Sequence, residues 1–412
     1  MASPLWSRIL QFRALDRDAR LLVAASSIAS VPIGLLSVAM PVYMERLGLG
    51  SVLAGTFFTV TGVTSVALVI PFGVIADRYG RRRMTIFGGI GLVIAMTAIA
   101  LGDTYGVFLA AAALLGVAEA LSFSTFSALL AEATKTDTRT AAFSLSFFFS
   151  SLAFAAGSLL AILPDVVLAG GSADVTLAYR PAFGIAAAVS VVVPLGVFRV
   201  AVGARQEPQG RRGLLPRKSA PILTKFFASN FIIGLGAGLI IPLFTLWFFL
   251  KFGLAESTTG PLLAFSSVVM AASFLVAPLL ARKYGMVRSI VAVQSAATFV
   301  LFFIPIAMNL YVVGTLYVVR NLLMNMSWPV ASSFLMSTVD ESERASASAV
   351  TGAAFRLPFA VSTTLGGYLL TIHLDLPFFV TTALYALGTA MFWLFFHKLE
   401  REAVEQAVPV SP

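Results

Sequence analysis

The 412-residue sequence contains no cysteine and only two histidines. Without cysteine there are no disulfides, thiolate metal sites or cysteine nucleophiles. His373 and His397 both fall near the ends of apolar runs, so zinc or triad chemistry has no visible basis, and neither a metal nor a cofactor is expected. Charge is scarce as well: 11% of the residues are charged, against 58% hydrophobic. So little polar surface could not cover a soluble globule of this length. A Gly-rich phosphate loop of the Walker type is also missing, which leaves ATP hydrolysis without a site and makes an enzyme an unpromising reading.

What the chain has instead is length in its apolar runs. Hydrocarbon offers no partner to backbone groups, so spanning elements are helices or a closed barrel, and runs of about 20 apolar residues mean helices. Barrel strands would alternate, and these runs do not. Twelve segments are expected, near 20–44, 52–76, 84–102, 106–131, 140–164, 180–202, 222–250, 257–281, 288–309, 311–338, 345–371 and 376–397. The narrowest cut is at Asn309; without it the ninth and tenth would form one helix too long for a bilayer.

Basic residues orient these spans. Arg46, Arg180 and Lys251 sit at one set of loop ends and Arg320 and Arg356 lie inside spans, while the other Lys and Arg fall on the side bearing both termini. The positive-inside rule then places both termini in the cytoplasm, with a prokaryotic plasma membrane as the expected home. The net charge of +9 reflects this bias and an affinity for anionic lipid, not nucleic acid. The basic start (Arg8, Arg13, Arg17, Arg20) leads into a stretch long enough to remain as a span, so no cleavable signal peptide is expected.

The chain also repeats itself. Ile33-Gly34-Leu35 with Pro41 corresponds to Ile233-Gly234-Leu235 with Pro242, Tyr79-Gly80 to Tyr284-Gly285, and Arg139 to Arg344. Three landmarks in step imply two related halves: a six-helix bundle over 1–202, a cytoplasmic linker over 203–221, and a second bundle with a short tail over 222–412. Six spans is an even number, so the halves share one orientation, a parallel repeat about an axis along the membrane normal with a substrate site expected between the repeats. The Pro/Gly-containing, basic linker is too small to fold and suits a tether.

The densest charged turn runs from Gly73 to Arg83, between the second and third spans. Gly73, Asp77, Arg78, Gly80, Arg81 and Arg82 there resemble the cytoplasmic signature of the major facilitator superfamily. Together with the twelve spans, the 6+6 repeat and a weaker second copy (Ala281 to Arg288), the likeness covers essentially the whole chain. It implies an all-α membrane protein of two six-helix bundles, working by alternating access as a monomer. It further implies that Asp77 latches the start of the eleventh span, which here carries Arg344. The residues support this independently: Gly73 and Gly80 permit close approach and a tight turn, and Asp77 can accept from free N–H groups at a helix start. Arg81 is placed to pair with Glu132 or Asp137 at the end of the fourth span. A plain topogenic loop is the alternative for the arginines.

Three ionisable residues fall near span centres: Glu119 in the fourth, Arg320 in the tenth and Arg356 in the eleventh. Each would cost about 2.5–3.5 kcal/mol facing lipid, so each should face a cavity or a partner. The resemblance implies that the first, fourth, seventh and tenth spans line the cavity, setting Glu119 and Arg320 on opposite walls. A pair of Glu119 with Arg320 or Arg356 could hold one closed state until protonation or substrate releases it; a permanent packing pair is the alternative. Two arginines to one glutamate favour an anionic substrate. Asn230, Asn321, Asn325, Trp328 and Tyr43 are the candidates to complete the pocket, Asn321 and Asn325 sharing a face one turn apart.

These residues describe a secondary transporter for a small organic solute, an anion by its charge balance, coupled to protons through Glu119. A proton-coupled multidrug efflux antiporter is the rival within transport, weakened because the fifth span offers only Gly157 where such antiporters carry Gly-Pro and paired glycines. A transporter-like sensor or lipid scramblase is the remote alternative.

Overall fold

Proline decides where several helices break. A proline has no N–H to offer the carbonyl four residues back. In the computed structural model, which describes residues 15–171, 174–201, 218–340 and 343–407, helices stop at Ile28, Leu160 and Ser190, each four residues ahead of Pro32, Pro164 and Pro194. The first span is thus a broken pair, α1 (Arg17–Ile28) and α2 (Ser30–Arg46). Three single rods follow, α3 (Gly50–Tyr79), α4 (Arg81–Leu101) and α5 (Tyr105–Glu132). The fifth and sixth spans are pairs again, α6 (Thr136–Leu160) with α7 (Ile162–Ala169) and α8 (Val175–Ser190) with α9 (Val192–Phe198).

The seventh span joins α10 (Ala220–Ile240) to α11 (Phe244–Phe252) through a tight turn, Ile241–Leu243, centred on Pro242. The chain then runs through α12 (Glu256–Tyr284), α13 (Met286–Phe303), α14 (Leu310–Thr338), α15 (Arg344–Ile372) and α16 (Leu376–Ala407). Among the described residues every regular element is helical, and nine helical runs are long and apolar enough to cross a membrane. Helices of 29 residues each stand at the eighth, tenth and eleventh places, ample for a core of about 30 Å. The architecture agrees with twelve spans. At the narrow cut, Asn309 caps α14 by accepting from the N–H groups of Tyr311 and Val312, so two helices stand where the apolar run is nearly continuous.

The chain forms two compact units. Unit 1 takes residues 1–211 together with 242–268, and unit 2 takes 212–241 and 269–412. One boundary falls in the polar linker, most of which (203–217) lies outside the described residues, and a further one falls at the Pro242 turn. Within unit 1, α2 packs on α6 and α8, and α4 on α5 and α8. Within unit 2 the same relations recur at the equivalent spans: α10 packs on α15 and α16, and α13 on α14 and α16. Each unit also carries an apolar cluster in its own half, built around Leu22, Leu129 and Val197 in unit 1 and around Phe226, Phe334 and Phe396 in unit 2.

Glycine sets the closest of these approaches. A Cβ on Gly34 would collide with the carbonyl of Phe154, and one on Gly157 with the carbonyl of Val31, so α2 and α6 touch backbone to backbone. In unit 2, a Cβ on Gly234 would meet the Phe355 carbonyl oxygen at 2.5 Å, and one on Gly366 would collide with the Leu239 carbonyl. Such contact stabilises helix pairs in lipid, where apolar burial gives no advantage.

Candidate functional site

The turn between α3 and α4 needs its glycine. Gly80 sits at φ +97° and the equivalent Gly285 at φ +88°, a region costly for residues with a Cβ. The turn brings Asp77, near the end of α3, against Arg81, the first residue of α4. The Arg81 guanidinium donates to Asp77 Oδ1 at 2.9 and 3.1 Å and to Glu132 Oε1 at 2.5 Å, tying α3, α4 and the end of α5 together. Arg82 donates to the Phe198 carbonyl and lies over the Phe198 ring, reaching α9. Arg78 is exposed, and Gly73 has only Ser124 near it. The structure therefore brings Arg81 to Glu132 as the charges imply, and gives Asp77 to Arg81. The side chains of Asp137 and Arg344 lie outside the described residues.

The intramembrane charges divide between the units. Glu119 is half-buried on α5 of unit 1, and Arg320 and Arg356 belong to unit 2, on α14 and α15. Arg320 is only 3% exposed. Its Nη2 donates to Tyr385 Oη at 2.6 Å, with the guanidinium over the Tyr385 ring at 5.5 Å, and its Nε has no partner. Among the described residues no carboxylate pairs with it. The tyrosine is itself placed by a glycine: Gly236 of α10 admits the Tyr385 ring, which a Cβ would meet at 3.1 Å.

The polar candidates around these charges are mostly turned to their own helices. Asn230 donates to the Phe226 carbonyl, and Asn325 donates to both the carbonyl and the side chain of Asn321. Trp328 is 43% exposed and meets Phe355 edge-on. Tyr43 is 1% exposed, stacked on Tyr179 at 4.3 Å and flanked by Phe108 and Phe183. Its place is in packing.

Above that stack lies a cluster that the sequence did not announce. Arg46, the last residue of α2, sends one nitrogen, Nη2, to two carboxylates: Asp165 of α7 at 2.9 Å and Glu256 of α12 at 2.7 Å. Asp165 also accepts from the Ser257 N–H at 2.6 Å, and Glu256 accepts from the Tyr179 hydroxyl. Glu256 is fully buried, although it stands one residue ahead of the eighth span as read from the sequence. Burial pushes its carboxyl up to about 7, against the downward pull of Arg46 and Tyr179, with Asp165 adding to the rise. The signal available beforehand was Arg46, one of three basic residues on the poorer side of the charge pattern. Its partners, 119 and 210 residues away, left no spacing to read.

Against known proteins, the sequence profile of the Major Facilitator Superfamily matches residues 22–363, and a second match covers 226–409. The chain belongs to the Major Facilitator Superfamily. The second match begins in α10, where the internal repeat begins. No curated protein sequence matches the chain. Solved structures do: a variant form of the nucleoside transporter NupG aligns with a TM-score of 0.76 at 13% identity, covering 92% of this chain and 100% of that one. A D-xylose-proton symporter gives 0.73 at 16%, covering 91% and 97%. The human organic anion transporter MFSD10 (TETRAN) gives 0.66 at 14%, covering 91% and 99%. At these identities the likeness is one of fold. Membership of the Major Facilitator Superfamily makes the chain a multi-pass membrane transporter of the secondary type, not an enzyme.

Proposed function

We propose that this member of the superfamily carries a small organic anion by alternating access, coupled to protons, in a prokaryotic plasma membrane with both termini cytoplasmic. The observation that carries the reading is Arg320: a guanidinium buried in a helix bundle, held by a neutral tyrosine, with one nitrogen unmatched. A charge so placed costs several kcal/mol unless an anion or partner answers it. A carboxylate or phosphate ester supplies that answer with the planar, two-pronged acceptor geometry a guanidinium prefers. Arg356, Asn321, Asn325, Asn230 and Trp328 are the further residues assigned to substrate, and Glu119 is assigned to the proton. The monomer is the working unit, and the sequence halves 1–202 and 222–412 are its rocking bodies.

The test is solute-evoked current on proteoliposomes, with organic anions set against lipophilic cations at two pH values. Anion-selective current that vanishes in Arg320→Ala, and whose pH dependence vanishes in Glu119→Gln, supports the reading. Current with cations only, indifferent to Arg320→Ala and lost in Glu119→Gln, overturns it in favour of multidrug efflux. Headgroup flipping without solute current overturns it in favour of a scramblase.

A further inference from the structure

The Arg46 cluster has an unbalanced charge. One guanidinium faces two carboxylates, and the more deeply buried of the two, Glu256, has its side chain wholly shielded from bulk solvent. The groups facing Glu256 are few. Arg46 comes from α2, Asp165 from α7 and Tyr179 from α8. Lys251, the only ionisable residue of α11, holds its ammonium over the Trp247 and Phe252 rings. The cluster as built therefore carries a net charge of minus one around a fully buried Glu256, with Arg46 and Asp165 only slightly exposed, unless a proton joins it. A buried net charge of this kind is costly, and the ordinary outcome is protonation of the least solvated carboxyl.

All the partners belong to unit 1, yet they come from both halves of the sequence. Residues 242–268 seat α11 against α2, where the Thr245 hydroxyl donates to the Ser37 carbonyl, and they bring Glu256 and Ser257 onto α7 and α8. Building on the transport reading, we propose that Glu256 is a proton-binding site of the transport cycle, taking up one proton when residues 242–268 seat on α2, α7 and α8 and releasing it when they lift away. The proton arrives from bulk water on Glu256 Oε1. That oxygen then donates to the Tyr179 hydroxyl oxygen, which had until then donated to it, and Oε2 goes on accepting from Arg46. Only O–H bonds change. The site is distinct from Glu119, which lies on α5, outside the cluster.

The sign follows from linkage. A carboxyl that holds its proton to about pH 7 when seated, and to about 4.3 in water, favours the seated arrangement under acid. Between those limits the seated-to-lifted ratio falls by up to about tenfold per pH unit, and above the upper limit it is level.

The absence of native cysteine makes a single introduced thiol a clean reporter, and no solute is needed. Thr245→Cys, buried at the α2–α11 contact, is placed in lipid nanodiscs. Its labelling by a charged maleimide is measured from pH 5 to 8 and normalised to the exposed control Met308→Cys at each pH. The expected result is labelling that rises from pH 5 to about 7 and then levels. Adding Glu256→Gln, which is neutral and keeps a Tyr179 contact, makes it low and flat. Adding Asp165→Asn, which removes the carboxylate that raises the proton affinity of Glu256, makes the rise level off at a lower pH. A profile that is flat without these additions, that rises on acidification, or that keeps its midpoint in both variants overturns the proposal. Because the readout is independent of flux, loss of the transport reading with this profile intact, or the reverse, is seen directly.

Discussion

Tyr385 is what makes a buried Arg320 tolerable. Removing the hydroxyl alone leaves Nη2 as unmatched as Nε already is, so Tyr385→Phe should lower stability by about 1–3 kcal/mol, read as a lower unfolding midpoint in detergent. Replacing both members with apolar residues, Arg320→Met with Tyr385→Phe, should recover most of that loss while flux stays absent. Recovery of flux in the double variant would remove Arg320 from the substrate site. Glu256 has a residue-scale signature of its own. Its carboxyl is raised in the fold to about 7, so the proton it holds stabilises the folded chain at low pH. That contribution fades as pH rises through about 7. The ceiling is about 4 kcal/mol, from about 1.4 kcal/mol per pH unit over the interval from about 4.3 to about 7. Thermal unfolding at pH 5 and pH 8 should therefore differ by less in Glu256→Gln than in the parent.

At the scale of the helix, the glycine contacts make sharper demands than the apolar faces do. Gly157→Ala pushes a methyl group into the Val31 carbonyl, and overpacking of this kind costs about 1–3 kcal/mol; the unfolding midpoint should fall accordingly, whereas Gly106→Ala, which meets nothing within 4 Å, should leave it unchanged. Much at this scale could be read from residues in order. Apolar run length gave the spans, the four-residue step from carbonyl to proline accounts for the breaks at Ile28, Leu160 and Ser190, and the cap at Asn309 separates two spans that hydropathy nearly fuses. The charged turn stood out for the same reason, although Asp77, expected at the start of the eleventh span, accepts from Arg81 across Gly80. Arg46 and Glu256 were not. Each sits at a span end, where a charge is unremarkable, and their meeting depends on where Pro242 redirects the chain. Tyr385 escaped notice as well, because a tyrosine in an apolar run is ordinary until a guanidinium is found beside it.

For the whole molecule, the units do not follow the duplication that the repeat describes. The halves repeat in sequence, and α2–α6 and α10–α15 repeat in packing, but unit 1 is complete only with residues 242–268. Expressed alone, 1–211 should lack the seat for Arg46 and Asp165 and recover poorly from membranes, while co-expression with 212–412 should restore it. Equal recovery of the lone fragment, judged by monodispersity on size exclusion, would show that the borrowed segment contributes little. The borrowing also orders events in time. A ribosome adds roughly 5–20 residues per second, so the first bundle waits for several seconds after its own last helix has emerged. Through that interval it holds Arg46 and Asp165 without the glutamate that completes their cluster, so the first bundle enters the bilayer with its charge balance still unset.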